Sequence, residues 1–454
     1  MTLPTDCVIK RATTHTIDIR YRAPIKFGGR VVTDATLLEV EVEVETRDGR
    51  RGVGNGSMPM GNVWAWPSST CTTDQTLSAM VEYGRQCVQR AGTQATQAGH
   101  PLQIVTELAE THSSVAQVAA EQLGLPEPMP RLAMLVASSP LEAAIFDAHG
   151  KALGQNAYNL LGSEWISEDL SRWLGSTFAG EYLDRYTRRV PQPSMPLYHL
   201  VGALDPLHDG DVTTKIGDGL PETLTEWIVA DGLTHMKIKL NGDDLDWDVR
   251  RVVDVERIAA EVQCVRGCEQ WSYSLDFNEK CQNVEYVLEF LQRLQTDSSS
   301  AYSRVQYIEQ PTHRDLAAHR ENRMHAAAQL KPVVIDESLV DLESLELSRE
   351  LGYSGVALKA CKGHSEALLM GAAAQKYGLF LCVQDLTCPG ASFLHSASLA
   401  ARIPTVAAIE GNGRQYCPAG NVGWEEAYPT MFQITTGSVG TGVLTEPGLG
   451  FHAV

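Results

Sequence analysis

The feature that most constrains the fold is a series of short apolar runs, each of which ends in a charged residue. Seven of these runs end at or beside Lys239, Asp276, Glu309, Asp336, Lys359, Asp385 and Glu410. Neighbouring runs lie roughly 25 to 35 residues apart, about the length of one strand–helix unit. A strand buried in a parallel sheet is apolar along its length, and the C-terminal ends of such strands form the catalytic face of a barrel. The pattern therefore predicts an α/β barrel whose first strand is residues 195–201.

A different pattern precedes the barrel. Residues 8–21 and 36–45 alternate apolar and polar side chains, which predicts antiparallel strands with one buried face. We expect a loop at residues 24–29 between them. Further on the apolar spacing is helical, and Ser139 and Pro140 indicate the start of one helix. Strands followed by helices predict an α+β domain.

These patterns divide the chain in two. We assign residues 1–165 to the α+β domain and residues 190–415 to the barrel, and we expect the tail, residues 415–454, to pack back on the first domain. A chain of 454 residues is long enough to build a full core in each of two domains.

Charge and composition narrow the class of partner. The formal net charge is −19, which disfavours nucleic acid because its phosphates would be repelled. No stretch approaches the roughly 18 consecutive apolar residues of a membrane span, and the N-terminus lacks the apolar run of a signal peptide. The 10 cysteines form no CxxC pair, as is usual for reduced thiols. We therefore expect a cytoplasmic protein that acts on a small molecule and binds neither nucleic acid nor membrane.

Three acids are the candidate metal ligands. Asp276, Glu309 and Asp336 end three successive predicted strands, so their carboxylates should converge on one rim of the barrel. Three bare carboxylates would repel one another there, and a hard divalent cation removes that repulsion. Mg²⁺ takes oxygen ligands and leaves positions open for a substrate. By the same argument, Asp276→Ala or Glu309→Ala should abolish activity at little cost in stability, because a like charge is removed.

Lysines flank the predicted metal site. Lys237 and Lys239 are two residues apart on one strand and therefore point to the same face, while the apolar Ile238 suits the helix layer. Lys359 ends a strand on the far side of the acids, so Lys239 and Lys359 should face each other across the site. Burial and a nearby cation would lower the pKa of either amine and allow it to act as a general base.

A metal ion and two opposed lysines together indicate a type of reaction. The proton α to a carboxylate is weakly acidic, and its removal requires positive charge beside the carboxylate. One lysine would take the proton, and the other would return one on the opposite face. The result is racemisation or epimerisation, or cycloisomerisation or elimination where the substrate allows it.

In their order along the chain, the motifs resemble those of the enolase superfamily and, within it, the muconate-lactonizing-enzyme subgroup. The matching segments are KIK at 237–239, LDFN at 275–278, IEQP at 308–311, IDES at 335–338 and LKACKG at 358–363, with DAHGKALG at 147–154 upstream. The resemblance implies a modified TIM barrel of the (β/α)₇β type under an α+β N-terminal capping domain. It also implies Mg²⁺ on the three acids and Lys239 and Lys359 as the acid–base pair.

The resemblance implies further roles. Asn278 would lie next to the metal and Lys237 would contact the substrate carboxylate. A loop around Phe27, together with the loop at residues 58–66, would cover the substrate. A homo-oligomer is expected, as in many members of the superfamily. At the last strand the sequence reads Glu410-Gly411-Asn412, where dipeptide epimerases carry two aspartates that hold an ammonium group. A dipeptide substrate is therefore not expected.

More than one reaction is compatible with these residues. The predicted substrate-binding side chains at the strand ends are Gln384, Asp385, Glu410 and Asn412. Together with His199 such groups could instead hold the hydroxyls of a sugar acid, and the enzyme would then be a dehydratase, acting on that or on an o-succinylbenzoate-type substrate. The sequence also allows a Schiff-base aldolase that uses one of the lysines, or a binding protein without catalytic activity.

Overall fold

The computed structural model describes residues 2–27, 30–93 and 97–454. Two residues of the predicted capping loop, Gly28 and Gly29, and the side chain of Phe27 lie outside this description. The chain forms a three-stranded antiparallel sheet, a group of helices and a closed barrel of eight parallel strands. In the described ranges, no helix is both long enough and apolar enough to span a bilayer.

The N-terminal sheet has the order β1-β2-β3 and consists of β1 (Cys7–Phe27), β2 (Arg30–Thr46) and β3 (Arg51–Pro59). The loop predicted at residues 24–29 is wrong in part, because Ile25 pairs with Val32 and Phe27 with Arg30. Proline is tolerated in an edge strand or beside a bulge. Pro24 meets both conditions, since β1 is an edge strand and its register shifts between Arg20 and Ile25.

Five helices follow the sheet: α1 (Asn62–Ala65), α2 (Thr73–Thr93), α3 (Pro101–Ala109), α4 (His112–Gln122) and α5 (Arg131–Leu153). The predicted helix start at Ser139 and Pro140 is wrong, because both residues lie inside α5. Proline has no N–H to donate to the carbonyl four residues earlier, here that of Val136. The Ser139 hydroxyl donates to the Val136 carbonyl oxygen instead, at 2.9 Å, and the helix continues.

Alternate glycines allow β3 to lie directly on α5. A Cβ atom added to Gly54 would come within 2.1 Å of the Ala148 backbone nitrogen, and one added to Gly56 within 1.9 Å of the Pro140 carbonyl oxygen. Backbone therefore touches backbone along this contact, which only glycine permits. The contact holds the sheet on the helix that faces the barrel.

The barrel strands follow one another in chain order, and the last pairs with the first: β4 (Met195–Val201), β5 (His235–Lys239), β6 (Ser272–Asp276), β7 (Val305–Glu309), β8 (Val333–Ile335), β9 (Gly355–Lys359), β10 (Phe380–Gln384) and β11 (Val406–Glu410). A short helix, α6 (Ser171–Leu174), lies in the connector before them. The predicted first strand is confirmed.

Helices fill each connection between the barrel strands: α7 (Leu224–Asp231), α8 (Leu245–Arg266), α9 (Val284–Asp297), α10 (Ser299–Arg304), α11 (His325–Leu330), α12 (Leu342–Glu350), α13 (His364–Lys376) and α14 (Gly390–Arg402). Both α9 and α10 lie between β6 and β7. The eighth strand is followed only by the short helices α15 (Gly413–Tyr416), α16 (Trp424–Ala427) and α17 (Pro429–Phe432). This arrangement of seven strand–helix connections and a final strand confirms the predicted (β/α)₇β barrel with its N-terminal α+β domain.

The C-terminal residues contact both parts of the chain. A two-residue strand, β12 (Ser438–Val439), pairs antiparallel with the start of β4. The backbone N–H of Leu449 donates to Asp147 of α5 at 2.9 Å, and the Ser398 hydroxyl of α14 donates to the Leu449 carbonyl oxygen at 2.6 Å. The tail thus bridges α5 and the barrel helices.

Candidate active site

The predicted site residues meet at the C-terminal ends of the barrel strands. Lys239 is in register with Asp276, and Asp276 is in register with Glu309 on the next strand. Asp336 follows β8 directly, and Lys359 is in register with Gln384. Because parallel strands end on one rim, these side chains share one enclosed space.

Lys237 is the centre of this group. Its Nζ lies 2.9 Å from Glu309 Oε1, 3.1 Å from Asp276 Oδ2, 3.1 Å from Glu410 Oε2 and 3.0 Å from Gln384 Oε1. The side chain is 2% exposed. The alternation predicted for β5 is therefore confirmed, with the lysines inside the barrel. Gln384 also donates to Glu309 and to the Tyr307 hydroxyl, so it lies below the site as a partner of Lys237.

Lys239 and Lys359 lie on opposite sides of the barrel. Lys239 Nζ is 2.5 Å from Asp276 Oδ2, and Lys359 Nζ is 2.9 Å from Asp336 Oδ2. Their strands, β5 and β9, are four strands apart in either direction around the eight-stranded barrel. A second ammonium, that of Lys362, approaches Asp336 Oδ1 at 3.1 Å. Lys239 and Lys359 therefore stand on opposite strands of the barrel, and their role as an acid–base pair stays a prediction.

The ion pairs set the charge states of the acids and lysines. Burial disfavours the charged form of Asp336, but Lys359 and Lys362 outweigh it and lower the pKa of this acid to about 2. In the same way Lys239 and Lys237 overcome burial and lower the pKa of Asp276. Burial and the neighbouring Asp276 charge raise the pKa of Glu309.

The lowered lysine pKa expected from the sequence depends on a bound divalent cation and stays a prediction, while the protein groups alone shift the pKa the other way. Burial is the largest influence on Lys359 and by itself lowers the pKa, but the nearby acids, Asp336 first and then Glu309, act together to raise it. Glu309, Glu410 and Asp276 raise the pKa of Lys237 against the effect of its burial. A divalent cation beside a lysine would lower the pKa of the amine. In the structure the neighbours of Lys237 and Lys359 are carboxylates, and each lysine is the positive partner of an ion pair.

A residue of the predicted covering segment at residues 58–66, Trp64, closes the site. Trp64 of α1 donates from its ring N–H to Glu337 Oε1 at 2.9 Å, and its ring lies 4.3 Å from the Lys359 ammonium. A cation over an aromatic face is attracted by the ring. The individual contacts of Trp64 were not predicted, because contacts made on docking of two domains leave no local sequence signal.

Trp64 and Leu386 form a wall between two cavities. The inner cavity, of about 10 Å³, is lined by Lys237, Lys239, Asn278, Asp336, Lys359, Asp385, Thr387, Glu410 and Asn412 as well as by the wall. The outer cavity, of about 180 Å³, lies between the wall and the β1–β2 hairpin. A space of 10 Å³ holds about one water molecule. The inner cavity as it stands is therefore too small for a substrate larger than water.

The remaining predicted residues support or line the inner cavity. The Asn278 backbone N–H donates to Asp276 Oδ1 at 2.8 Å, and the role of this residue beside a metal stays a prediction. Asp385 accepts from the backbone N–H groups of Thr387, Cys388 and Asn412, and burial with the Glu410 charge raises its pKa to about 7.

His199 is not part of this site. Gln415 contacts its ring at 3.1 Å, and the two line a separate cavity of about 250 Å³ with Arg22 and Trp227. On a barrel strand neighbouring side chains alternate between the interior and the helix layer, and in β4 His199 falls on the outer face. The predicted contact of Phe27 with a substrate lies outside the described side chains.

The donor set fits a hard divalent cation. Asp276, Glu309 and Asp336 are each 1% exposed and present carboxylate oxygens from adjacent strand ends, the ligand type that Mg²⁺ prefers. Within the described ranges, no three His, Cys, Asp or Glu side chains stand close enough to hold a metal ion as they are. Lys237, which bridges Asp276 and Glu309, provides the positive charge there.

Comparison with known proteins agrees with the fold. Residues 220–453 match the family model described as enolase C-terminal domain-like. No curated protein matches the chain. Among solved structures, muconate lactonizing enzyme from Pseudomonas fluorescens, complexed with muconolactone, has a TM-score of 0.60 and 17% identity over 99% of this chain and 97% of that one.

The structures of two epimerases resemble this chain to a similar degree. The dipeptide epimerase from Enterococcus faecalis V583, complexed with Mg and the dipeptide L-Leu-L-Tyr, has a TM-score of 0.61 and 16% identity over 98% of this chain and 99% of that one. The L-Ala-D/L-Glu epimerase from Bacillus subtilis has a TM-score of 0.63 and 16% identity over 98% of each chain. At such identities the likeness concerns the fold.

Proposed function

The chain belongs to the enolase superfamily, through the C-terminal domain-like family that residues 220–453 match, and on that premise we propose that it is a magnesium-dependent isomerase that removes the proton α to a carboxylate. The observation that carries the proposal is the pair Lys239 and Lys359, on opposite strands of one barrel and at one cavity. Two amines on opposite sides of a bound molecule can take a proton from one face and return one to the other.

The residues of the chain divide the work as follows. Asp276, Glu309 and Asp336 would hold Mg²⁺, which supplies positive charge to the substrate carboxylate as the α-proton leaves. One of the two lysines, Lys239 or Lys359, accepts that proton as the neutral amine, and the other donates one as the ammonium. Lys359 is paired as an ammonium with Asp336, so it must release its own proton before it can accept one from the substrate. Lys237 offsets the charge of Glu410 and Glu309 and is the candidate contact for the substrate carboxylate.

Relatives of the same fold support this choice of reaction class. The similar structures include muconate lactonizing enzymes and epimerases, and the dipeptide epimerase is complexed with Mg. A Schiff-base aldolase would use a single lysine as nucleophile and would leave the second lysine on the opposite strand without a role.

The test is exchange of the α-proton in heavy water. Both enantiomers of N-acetyl amino acids and of 2-hydroxy acids would be incubated with the protein and Mg²⁺, and deuterium at the α-carbon followed by NMR. We expect exchange and interconversion of enantiomers for part of the panel. Lys239→Ala and Lys359→Ala should each slow interconversion by about 10²- to 10⁴-fold. Each variant should retain α-proton exchange with one enantiomer only.

The control is Lys376→Ala, which removes a lysine of α13 that pairs with Glu181 away from the cavity. It should leave exchange unchanged. Exchange that survives the loss of both Lys239 and Lys359, or no exchange with any panel member in the presence of Mg²⁺, would refute the proposal.

A dehydratase is the second candidate, favoured by one observation. Asn412 presents a buried oxygen without a hydrogen-bond partner among the described residues at the inner cavity, which could hold a substrate hydroxyl. Release of water from a panel of sugar acids, detected as the 2-keto acid, would favour the dehydratase over the isomerase.

A further inference from the structure

Thr387, in the loop after β10, has a strained backbone beside the inner cavity. Its φ angle is +56°, a conformation that is unusual for a β-branched residue and that is strained relative to right-handed backbone. The Thr387 and Cys388 N–H groups donate to Asp385 at 3.3 Å and 3.2 Å, which holds the loop in this shape. Such outliers collect at functional sites, so the threonine side chain is a candidate for a direct role.

The Thr387 hydroxyl is buried without a partner. The residue is 1% exposed, and its Oγ1 makes no hydrogen bond within the described residues. Tyr21 of β1 lies near this hydroxyl, but without hydrogen-bond geometry. An unpaired buried polar atom is destabilising, and Thr387 lines the same cavity as Lys239 and Lys359.

Asn412 presents a second unpaired atom to this cavity. Its Nδ2 donates to Glu410 Oε1 at 3.2 Å, while its Oδ1 has no partner in the described part of the chain. The amide cannot be turned the other way, because a carboxylate only accepts hydrogen bonds and would face the amide oxygen. The free Asn412 oxygen therefore requires a donor.

We propose that Thr387 and Asn412 form a subsite for a hydroxyl group of the substrate. A hydroxyl donates one hydrogen bond and accepts others, so it can donate to Asn412 Oδ1 and accept from Thr387 Oγ1. An ammonium group could only donate, and the nearby Glu410 charge is already offset by Lys237 at 3.1 Å. The substrate class is thus a carboxylate with a hydroxyl on the part remote from the α-carbon. This inference rests on the proposed function for the position of the α-carbon.

The test is calorimetric binding with three probes of equal size. N-acetyl-L-homoserine, N-acetyl-L-norvaline and N-acetyl-L-2,4-diaminobutyrate end in a hydroxyl, a methyl and an ammonium group respectively. They would be titrated into the full-length protein with Mg²⁺ present. We expect the homoserine derivative to bind about 10- to 100-fold more tightly than the norvaline derivative, the range that corresponds to two unpaired buried atoms gaining a partner.

Variants assign the preference to Thr387. Thr387→Val keeps the shape and the β-branch and should bring the affinities for the homoserine and norvaline derivatives to within about threefold, whereas Thr387→Ser should restore the preference. Thr445→Val is the control, since Thr445 is exposed and does not line the cavity. Thermal unfolding would verify that each variant is folded.

Several outcomes would overturn the subsite. These are equal binding of the three probes to the wild type, tighter binding of the norvaline or diaminobutyrate derivative, no binding of the homoserine derivative, or a preference that survives in Thr387→Val. The proposed function is judged separately, by α-proton exchange. A hydroxyl preference without exchange would refute the isomerase and retain the subsite, and exchange without the preference would do the reverse.

Discussion

Two acids of the site, Asp276 and Asp336, each form ion pairs with two lysines. Asp276 contacts both Lys237 and Lys239, at 3.1 Å and 2.5 Å, so its carboxylate attracts two buried ammonium groups. The small stability cost expected from like-charge repulsion therefore does not hold for the protein without metal. Removing one partner of a buried ion pair typically costs about 3–5 kcal/mol.

We predict that Asp276→Ala lowers the free energy of unfolding by about 3–5 kcal/mol, measured by urea denaturation in EDTA. The control is Asp246→Ala, which removes the partner of Arg293 at a similar distance, 2.5 Å, where the Asp246 side chain is 64% exposed. An exposed pair contributes about 0–1 kcal/mol. If both variants lost the same small amount, the repulsion among the acids would outweigh their pairing with the lysines.

The residues that carry charge at strand ends could be predicted from the sequence, because each interrupts an apolar run at a fixed place. The contact between Trp64 and Glu337 could not be predicted, since it depends on how the capping domain docks on the barrel. Thr387 could not either, because nothing in the order of residues around it reports a φ of +56°. His199 was placed wrongly because a strand-end position does not by itself say which face the side chain occupies.

At the scale of elements, α5 depends on one hydroxyl group. Pro140 leaves the Val136 carbonyl without its usual N–H donor, and the Ser139 hydroxyl replaces it at 2.9 Å. Ser138 donates in the same way to the Met134 carbonyl at 2.9 Å. That carbonyl faces the N–H of residue 138 in the regular helical pattern, so the Ser138 hydroxyl is not essential there.

We predict that Ser139→Ala lowers the free energy of unfolding by about 1–3 kcal/mol, the cost of an unpaired buried carbonyl. Ser138→Ala, its matched control, should cost less than about 1 kcal/mol. Both would be measured by chemical denaturation at neutral pH. Equal losses for the two serines would show that the proline gap in α5 is compensated in another way.

The elements themselves were predicted unequally. The barrel strands could be located because their apolar runs are short and evenly spaced, and β4 has the predicted bounds, Met195–Val201. The hairpin of β1 and β2 is longer than its alternation indicated, since Pro24 at an edge and a register shift resemble a loop in the sequence. The start of α5 was misplaced because a proline within a helix is rarer than a proline at its beginning.

For the molecule as a whole, buried ionisable groups act in opposite directions on stability. Six histidines in the described ranges are buried: His100, His112, His149, His199, His364 and His395. Burial lowers their pKa values. Burial also raises the pKa of Glu142 to about 7 and that of Glu366 to about 8. The acids keep protons in the native state, and the histidines bind them only after unfolding.

Because these two effects oppose each other, the pH dependence of the free energy of unfolding partly cancels. The contribution of one group is therefore best measured as the difference in that dependence between the wild type and a variant that lacks the group. Between about pH 4 and 6.5 the unfolded chain binds more protons at histidine than the native state does, and histidine burial therefore costs stability as the pH falls. In the same region the buried glutamates work the other way: the native state holds their protons, so their burial costs stability as the pH rises. A histidine whose burial is the main cause of its shift gives the cleanest test.

His112 of α4 is suited to this test. It is 5% exposed and packs edge-on against Tyr83, and burial, with a smaller effect of the Arg131 charge, lowers its pKa to about 4. Its penalty should be absent above pH 6.5, grow as the pH falls from 6.5 to 4, and stay constant below. We predict that, relative to His112→Gln, the wild type loses about 2 kcal/mol more stability between pH 7 and pH 4.5. Urea denaturation at both values measures this, and parallel pH profiles for the two proteins would contradict it.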